Sequence, residues 1–371
     1  MLRQIKIGIV GTSWWTDSMY MPALTTHPNA DVRAVVGRNL DHTREFAEQW
    51  KVLNAYASMA DLLAKETLDA VIIASSNKHH YPLAMTAIEH GLHVLCEKPL
   101  AMNYTEAICM TEAAKRAGIK TMVSFTYRFM PTSRYLKELI EQNYIGKPYH
   151  LNMRYYADYA RAGEYMWRFD FDESGSGVAG DLGTHWLYLA DWFYGEIKAV
   201  SAMLGYHVSR EPRPDGQPYE LADDSAVMML EFENGARGII HVSSVAYEET
   251  PFGQTHHMEF HGSGGTLYSF TDWDKTQSVS GARDGEGAIH DLPIPDHIWG
   301  TARRDNVQHT YKDIFREHDF MARGFVSAIA NNASVEPSFR DGARIQRYLE
   351  AALLSAQAGR RVEVNEIQAK E

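Results

Sequence analysis

Five short apolar runs constrain this chain more than any other feature. They lie at residues 5–10, 31–36, 69–74, 92–96 and 119–125, and the stretches between them have helical patterning. Strands separated by helices cannot be joined by tight hairpins, so the pattern predicts a parallel sheet covered by helices. One helix is expected to start near Trp14 and to carry Tyr20 to Leu24. A second covers residues 41–52, with Phe46, Trp50 and Leu53 on one face. A third runs over 80–90 and stops at Gly91. A fourth opens with a capping box, Asn103-x-x-Glu106, and ends at Gly118.

The second half has a different texture. Alternating stretches at 149–155 and 226–232 predict long antiparallel strands, with Glu233-Asn234-Gly235 as a hairpin turn. Residues 238–245 and 256–261 continue the alternation, and Gly262 to Gly265 form another turn. Prolines and a glycine between Arg210 and Pro218 mark an exposed loop. Residues 320–330 and 340–356 are helical, with Ile345, Tyr348, Leu349, Ala352 and Leu353 in one stripe. The fold class is therefore α/β: a doubly wound parallel sheet, then an α+β domain with a large, mostly antiparallel open sheet. The boundary is expected at residue 125, giving domains 1–125 and 126–371. A length of 371 residues fits two domains.

Composition narrows the partners. Asp and Glu number 48 against 36 Lys and Arg, a formal charge of −12, and no basic block is present. This argues against nonspecific nucleic-acid binding and against an anionic membrane surface. No apolar run approaches the ~18 residues of a membrane span. The start, MLRQIKIGIVG, reads as a strand rather than a secretion signal. Cys96 and Cys109 are the only cysteines and form no C-x-x-C, which fits a reducing compartment, expected to be the cytoplasm.

Ligands of open parallel sheets bind beyond the carboxyl ends of the strands. After the first strand comes Gly11-Thr12-Ser13-Trp14-Trp15-Thr16. A dinucleotide loop would carry glycine at positions 11, 13 and 16, and here only Gly11 is one. A tight strand-to-helix turn without ligand is the competing reading. The second strand ends Gly37-Arg38-Asn39. An acidic residue there would hold the ribose of NAD, whereas Arg38 suits the 2′-phosphate of NADP. Asn39 is compatible with NAD, and Arg38 also reads as a solvated loop residue. Ser75, Ser76, Asn77 and His80 crowd the end of the third strand, either lining a nucleotide cleft or capping the next helix.

The fourth strand ends Glu97-Lys98-Pro99. Lysine is rarely buried without a partner, so Lys98 is either paired with Glu97 or poised to stabilise a developing alkoxide. Further on, Asp181 and His185 stand four residues apart after a glycine run. On one helix they would share a face, the carboxylate orienting the imidazole and raising its basicity. The glycines would let a flat ligand approach. Tyr155, Tyr156, Tyr159, Tyr165 and Trp167 either stack on a sugar ring or pack ordinarily, the sugar role being favoured. Arg154, Asp158, Arg161 and Glu164 are candidate partners for substrate hydroxyls. His257, Glu259 and His261 alternate onto one strand face, but no further ligand motif surrounds them. They are read as structural, and no metal is expected.

These motifs, in this order, resemble the glucose–fructose oxidoreductase, inositol dehydrogenase and MocA family over nearly the whole chain. The matching segments are Glu97-Lys98-Pro99, Gly180-Asp181-x-Gly183-x-His185, Asn77-x-x-His80, Phe125-Thr126-Tyr127-Arg128-Phe129 and Trp167-Arg168. Ser13 and Thr16 depart from the family's glycines, and Gly37-Arg38-Asn39 resembles its NADP-using members. The resemblance implies a Rossmann domain plus a C-terminal domain that binds substrate and mediates oligomerisation as a homo-dimer or homo-tetramer. It also implies hydride transfer between nicotinamide and a sugar, cyclitol or related polyol, with NADP favoured and NAD possible as cofactor. Lys98 would bind the reacting hydroxyl, His185 would act as base and Asp181 would assist. The cofactor would touch Gly11, Thr12, Ser13, Trp14, Trp15, Arg38, Asn39, Ser75, Ser76, Asn77, His80, Glu97, Lys98, Tyr127, Trp167 and Arg168. The substrate would touch Lys98, Tyr127, Tyr156, Asp181 and His185. Two further readings are an oxidoreductive glycosidase that oxidises a sugar transiently, and a nucleotide-sensing regulator without catalysis.

Overall fold

The computed structural model describes residues 3–370. The chain divides into two compact units. The first comprises the residues up to Ser124 together with Lys312–Ala343, and the second comprises Phe125–Tyr311 and the chain from Arg344 onward.

The first unit is built on six strands: β1 (Ile5–Val10), β2 (Ala30–Val36), β3 (Asn54–Tyr56), β4 (Ala70–Ile73), β5 (His93–Cys96) and β6 (Thr121–Val123). Their order is β3-β2-β1-β4-β5-β6, and every pairing is parallel. The chain starts in the middle and winds outward both ways, so the switch point lies between β1 and β4. All five expected strands form. The short β3 and the helix Met59–Lys65 escaped the sequence reading because both are brief. Leu53 is not on the apolar helix face: the helix Leu40–Trp50 ends before it and it is 81% exposed.

A parallel sheet has two apolar faces to cover. Ile5, Ile7 and Ile9 of β1 are fully buried, and they share a core with Ala322, Phe325, Val326 and Ile329. Those four residues follow the i, i+3, i+4, i+7 spacing of one face of the helix Met321–Ala330. The expected division at residue 125 therefore differs from the contacts in one segment. Lys312–Ala343 returns to the first unit because its helix completes the cover of β1. Arg316 and Arg323 fasten the return by donating to the carbonyls of Ser18 and Ala23.

The second unit carries a nine-stranded sheet: β7 (Pro148–Ala157), β8 (Ile197–Gly205), β9 (Ser225–Phe232), β10 (Arg237–Ser243), β11 (Gln254–Gly262), β12 (Gly265–Asp272), β13 (Ser280–Arg283), β14 (His290–Asp291) and β15 (Val362–Glu363). The order is β14-β13-β12-β11-β7-β10-β9-β8-β15. The sheet is mostly antiparallel, but β7 and β10 run parallel, which local alternation does not reveal. One face is covered by the helix Gly183–Tyr194, buried at every position but Trp192. The other face is open: Met203, Met229, Ile239 and Phe270 are 67%, 53%, 46% and 47% exposed.

Phe325→Ala tests the returning helix. Emptying that fully buried position is expected to lower stability by about 3–5 kcal/mol in urea unfolding. A loss below about 1 kcal/mol contradicts its place in the core.

Candidate functional site

In the first unit, the sheet order brings the ends of β2, β1, β4 and β5 side by side, and with them most of the expected nucleotide contacts. Gly11 has φ +114°, and a Cβ there would stand 2.4 Å from the Ala74 carbonyl oxygen at the end of β4. Glycine is thus required where the chain turns from β1. The two missing glycines are explained locally. Thr16 is fully buried and its hydroxyl donates to the Gly11 carbonyl at 2.9 Å, so it ties the loop to the following turn. Ser13 accepts from the Thr16 amide at 3.4 Å. The helix after the loop opens with a π-turn, Thr16–Tyr20, before Met21–Thr25. Trp14 is 72% exposed, while Trp15 is half-buried. Arg38 and Asn39 are exposed at the end of β2, and Asn39 accepts from the amides of Asp41 and His42 as a helix cap.

At the end of β4, the Ser76 side chain caps nothing as the short turn Asn77–His79 begins. His80 corrects the sequence reading. It is fully buried, with Nδ1 2.9 Å from the Pro99 carbonyl and Nε2 3.1 Å from the Ser75 carbonyl. Burial pushes its pKa down to about 4. Both ring nitrogens face main-chain carbonyls, and the single N–H of the neutral ring bonds one of them, so the ring is spent on the main chain between the ends of β4 and β5 rather than reaching a nucleotide.

Glu97 and Lys98 follow β5, with Lys98-Pro99 in the cis form. The Tyr20 hydroxyl donates to Glu97 Oε1 at 2.5 Å, and the Lys98 amide approaches Glu97 Oε2 at 3.3 Å. Ser124 lies 2.7 Å from the Tyr20 hydroxyl. Neither Tyr20 nor Ser124 was expected at the site, because neither lies in a recognisable motif.

In the second unit, Asp181 and His185 do not share one continuous helix. The segment breaks at Leu182, between Val178–Asp181 and Gly183–Tyr194. Asp181 is held by the Tyr159 hydroxyl at 2.8 Å and by the Arg168 guanidinium at 3.3 Å. Arg168, expected on the cofactor, also lies over the Trp167 ring at 4.7 Å. His185 is buried, its ring edge-to-face with Tyr127 at 4.8 Å and with Phe125 at 6.4 Å. Behind Tyr127 runs a buried polar chain. Its hydroxyl meets Tyr155 at 2.8 Å and accepts from Gln254 at 3.2 Å. Gln254 and Trp273 both point N–H groups at His256 Nε2, at 2.8 and 3.4 Å. That nitrogen must therefore accept, in keeping with a burial-lowered pKa of about 3.

The glycine run serves internal packing rather than ligand approach. A Cβ on Gly177 would fall 1.8 Å from the Asp223 carbonyl oxygen. Asp223 is buried and accepts from three consecutive amides: Gly177 and Ala179 on its carboxylate at 2.8 and 2.7 Å, Val178 on its carbonyl at 2.9 Å. It thereby satisfies the first donors of the helix that ends in Asp181. Burial raises its pKa to about 6 despite those donors.

Tyr156 is a second correction. Side chains alternate along β7, so Tyr155 packs on Trp186 and Tyr127 while Tyr156 projects to the open face, where its hydroxyl meets His241 at 2.7 Å. It stands on the opposite side of the sheet from His185. His257, Glu259 and His261 occupy that open face too, with His257 3.4 Å and His261 3.9 Å from Glu259. Among the described residues, no cluster of metal-binding side chains is present, and no helix is long and apolar enough to cross a membrane.

A doubly wound sheet with a glycine turn at its switch point defines a dinucleotide-binding class of fold, and comparison with known proteins supplies the oxidoreductase class. Residues 5–125 match the oxidoreductase family with an NAD-binding Rossmann fold, and residues 133–268 match the GFO/IDH/MocA C-terminal domain. The chain belongs to the Gfo/Idh/MocA family of NAD(P)-dependent oxidoreductases. It is 28% identical to levoglucosan dehydrogenase of Pseudarthrobacter phenanthrenivorans, over 99% of this chain and 100% of that protein. It is 28% identical to a scyllo-inositol 2-dehydrogenase (NADP(+)) of Bacillus subtilis, over 79% and 83%. A solved structure of levoglucosan dehydrogenase in its apo form superposes with a TM-score of 0.87 at 25% identity, covering 99% of this chain and 100% of that one.

His80 and His256 generate a pH prediction. Both have folded pKa values well below the ~6.5 of an unfolded histidine, so their stabilisation is complete above about pH 6.5 and is lost as pH falls towards 4 and 3. Near pH 5, unfolding should take up close to two protons at this pair, a slope of about 2–3 kcal/mol per pH unit. His256→Gln is expected to reduce the slope of urea-unfolding free energy against pH by about one proton. An unchanged slope would falsify the assignment.

Proposed function

We propose that this chain is an NAD(P)-dependent dehydrogenase or reductase acting on a CH–OH carbon of a sugar, cyclitol or related polyol. The observation that carries the reading is, in the second unit, a carboxylate held in place, Asp181 by Tyr159 and Arg168, together with a buried His185 whose ring stands edge-to-face with Tyr127 and Phe125. Such rings suit the apolar face of a sugar ring, and a histidine and a carboxylate suit removal of a hydroxyl proton. Levoglucosan dehydrogenase and the inositol dehydrogenase, by their names, act on compounds of this class.

The residues that fit a dinucleotide are those at the strand ends of the first unit. Gly11 to Trp15 would face the pyrophosphate, Arg38 and Asn39 the adenosine ribose, and Ser75, Ser76, Asn77 and Glu97 the remainder. Tyr127, Trp167 and Arg168 are retained as cofactor contacts from the second unit, Arg168 while also holding Asp181. Arg38 favours NADP. When bound, the oxidised nicotinamide supplies a hydride acceptor at C4. Lys98 binds the reacting hydroxyl and stabilises its alkoxide character. His185 takes the hydroxyl proton, and Asp181 stabilises the resulting imidazolium. Tyr159 and Arg168 keep Asp181 in one orientation. We further propose a homo-dimer or homo-tetramer, supported by the exposed apolar residues on the open sheet face, and a cytoplasmic location.

The test is NAD(P)H formation across aldoses, inositols, anhydrosugars and glycosides, with NADP and NAD in parallel. Glycoside cleavage with no net absorbance change would replace the dehydrogenase reading with transient oxidation. Silence in both assays, with nucleotide still bound, would point to a sensor. Lys98→Met is expected to lower kcat/KM by about 10³-fold or more while nucleotide affinity changes little. An equal loss of both refutes its role. Arg38→Ala should weaken NADPH far more than NADH, and equal weakening rejects the 2′-phosphate assignment.

A further inference from the structure

A buried polar chain in the first unit takes no part in that chemistry. Tyr20 sits on the π-turn that follows the nucleotide loop, and π-turns are frequent at functional positions. It is 2% exposed, and Ser124, at the end of β6, is fully buried. A carboxylate only accepts, so the 2.5 Å contact to Glu97 Oε1 is donated by the Tyr20 hydroxyl. The Ser124 hydroxyl, 2.7 Å away, then donates to the Tyr20 oxygen. The result is a directed relay from Ser124 through Tyr20 to Glu97, in which each bond polarises the next. It links three elements of the first unit: the helix after the nucleotide loop, the end of β5 and the end of β6.

Glu97 immediately precedes Lys98. Within the first unit the titratable or polar groups facing it are Tyr20, Ser124, Lys98 and Cys96. We infer that Tyr20 is a positioning residue: its phenol fixes Glu97 as an oriented anion at the end of β5, beside Lys98. The inference rests on the reading of Lys98 as the group that binds the reacting hydroxyl. Burial by itself pushes the Glu97 carboxyl up, and the hydrogen bond from Tyr20 and the charge of Lys98 pull against it. Without the phenol, Glu97 would take up a proton at higher pH. The same hydrogen bond joins the helix of the nucleotide loop to the residue before Lys98. Packing alone would give Tyr20 no effect on the ionisation of Glu97.

The experiment is infrared spectroscopy of the full-length protein through a pH series, using the carboxylic-acid band that disappears in Glu97→Gln to follow Glu97. Tyr20→Phe keeps the ring and removes only the hydroxyl. It is expected to raise the midpoint of that band by about one pH unit or more, as the loss of a hydrogen bond to a charged group should. Ser124→Ala leaves the Tyr20–Glu97 contact but weakens the relay, so a smaller shift in the same direction is expected. An unmoved midpoint in Tyr20→Phe overturns the inference, as does a downward shift in either variant. The spectroscopic readout needs no substrate. A protein that turns over no polyol therefore refutes the dehydrogenase reading separately from the effect of Tyr20 on Glu97.

Discussion

A parallel sheet buried on both faces is the constraint from which the first unit follows. β1 contributes Ile5, Ile7 and Ile9 with no exposed surface, and each such side chain contributes about 1.5–3 kcal/mol only while it stays covered. The helices between the strands cannot cover everything. The chain returns from the far end of the sequence to supply the stripe Ala322, Phe325, Val326 and Ile329. Covered faces leave the carboxyl ends of the strands as the accessible edge, and the glycine turn, Arg38, the Ser75–Asn77 segment and Lys98 all fall there. The nucleotide end is thus a consequence of how the sheet is buried.

The second unit solves a different problem. A helix start buried in protein leaves amide donors without carbonyls, and each unsatisfied one costs about 1–3 kcal/mol. Asp223 answers three of them at once at residues 177–179. That anchoring sets where the short helix ends, and so where Asp181 meets Tyr159 and Arg168. The break at Leu182 then redirects the chain into the buried helix that carries His185. The polar chain from Tyr155 to Trp273 braces Tyr127 from behind. The two candidate proton-handling groups are therefore held by residues far from them in sequence.

Much of this was legible beforehand. Apolar runs marked every long strand of the first sheet, because parallel strands are apolar on both faces. Gly91 and Gly118 end their helices with positive φ as their positions implied. The capping box was half legible: Asn103 caps the Glu106 amide, but the Glu106 carboxylate turns to the amide of Met102. Motif order supplied Lys98, Asp181 and His185 as candidates. Tyr156 was misread because aromatic content says nothing of the face a strand residue occupies, and the register of β7 puts it opposite Tyr155. His80 was misread because its motif position does not tell whether its nitrogens meet a ligand or a carbonyl.

Sequence alone determined the elements whose cause is local: apolar periodicity, glycine turns, and which polar side chains stand at the strand ends. Tertiary structure decided whatever depends on partners distant along the chain. Tyr20 and Glu97 are 77 residues apart, and Asp223 lies 46 residues beyond Gly177. The return of residues 312–343 to the first sheet is of the same kind. No local pattern encodes such pairings, because burial and hydrogen-bond satisfaction are settled only when the whole chain has found its contacts.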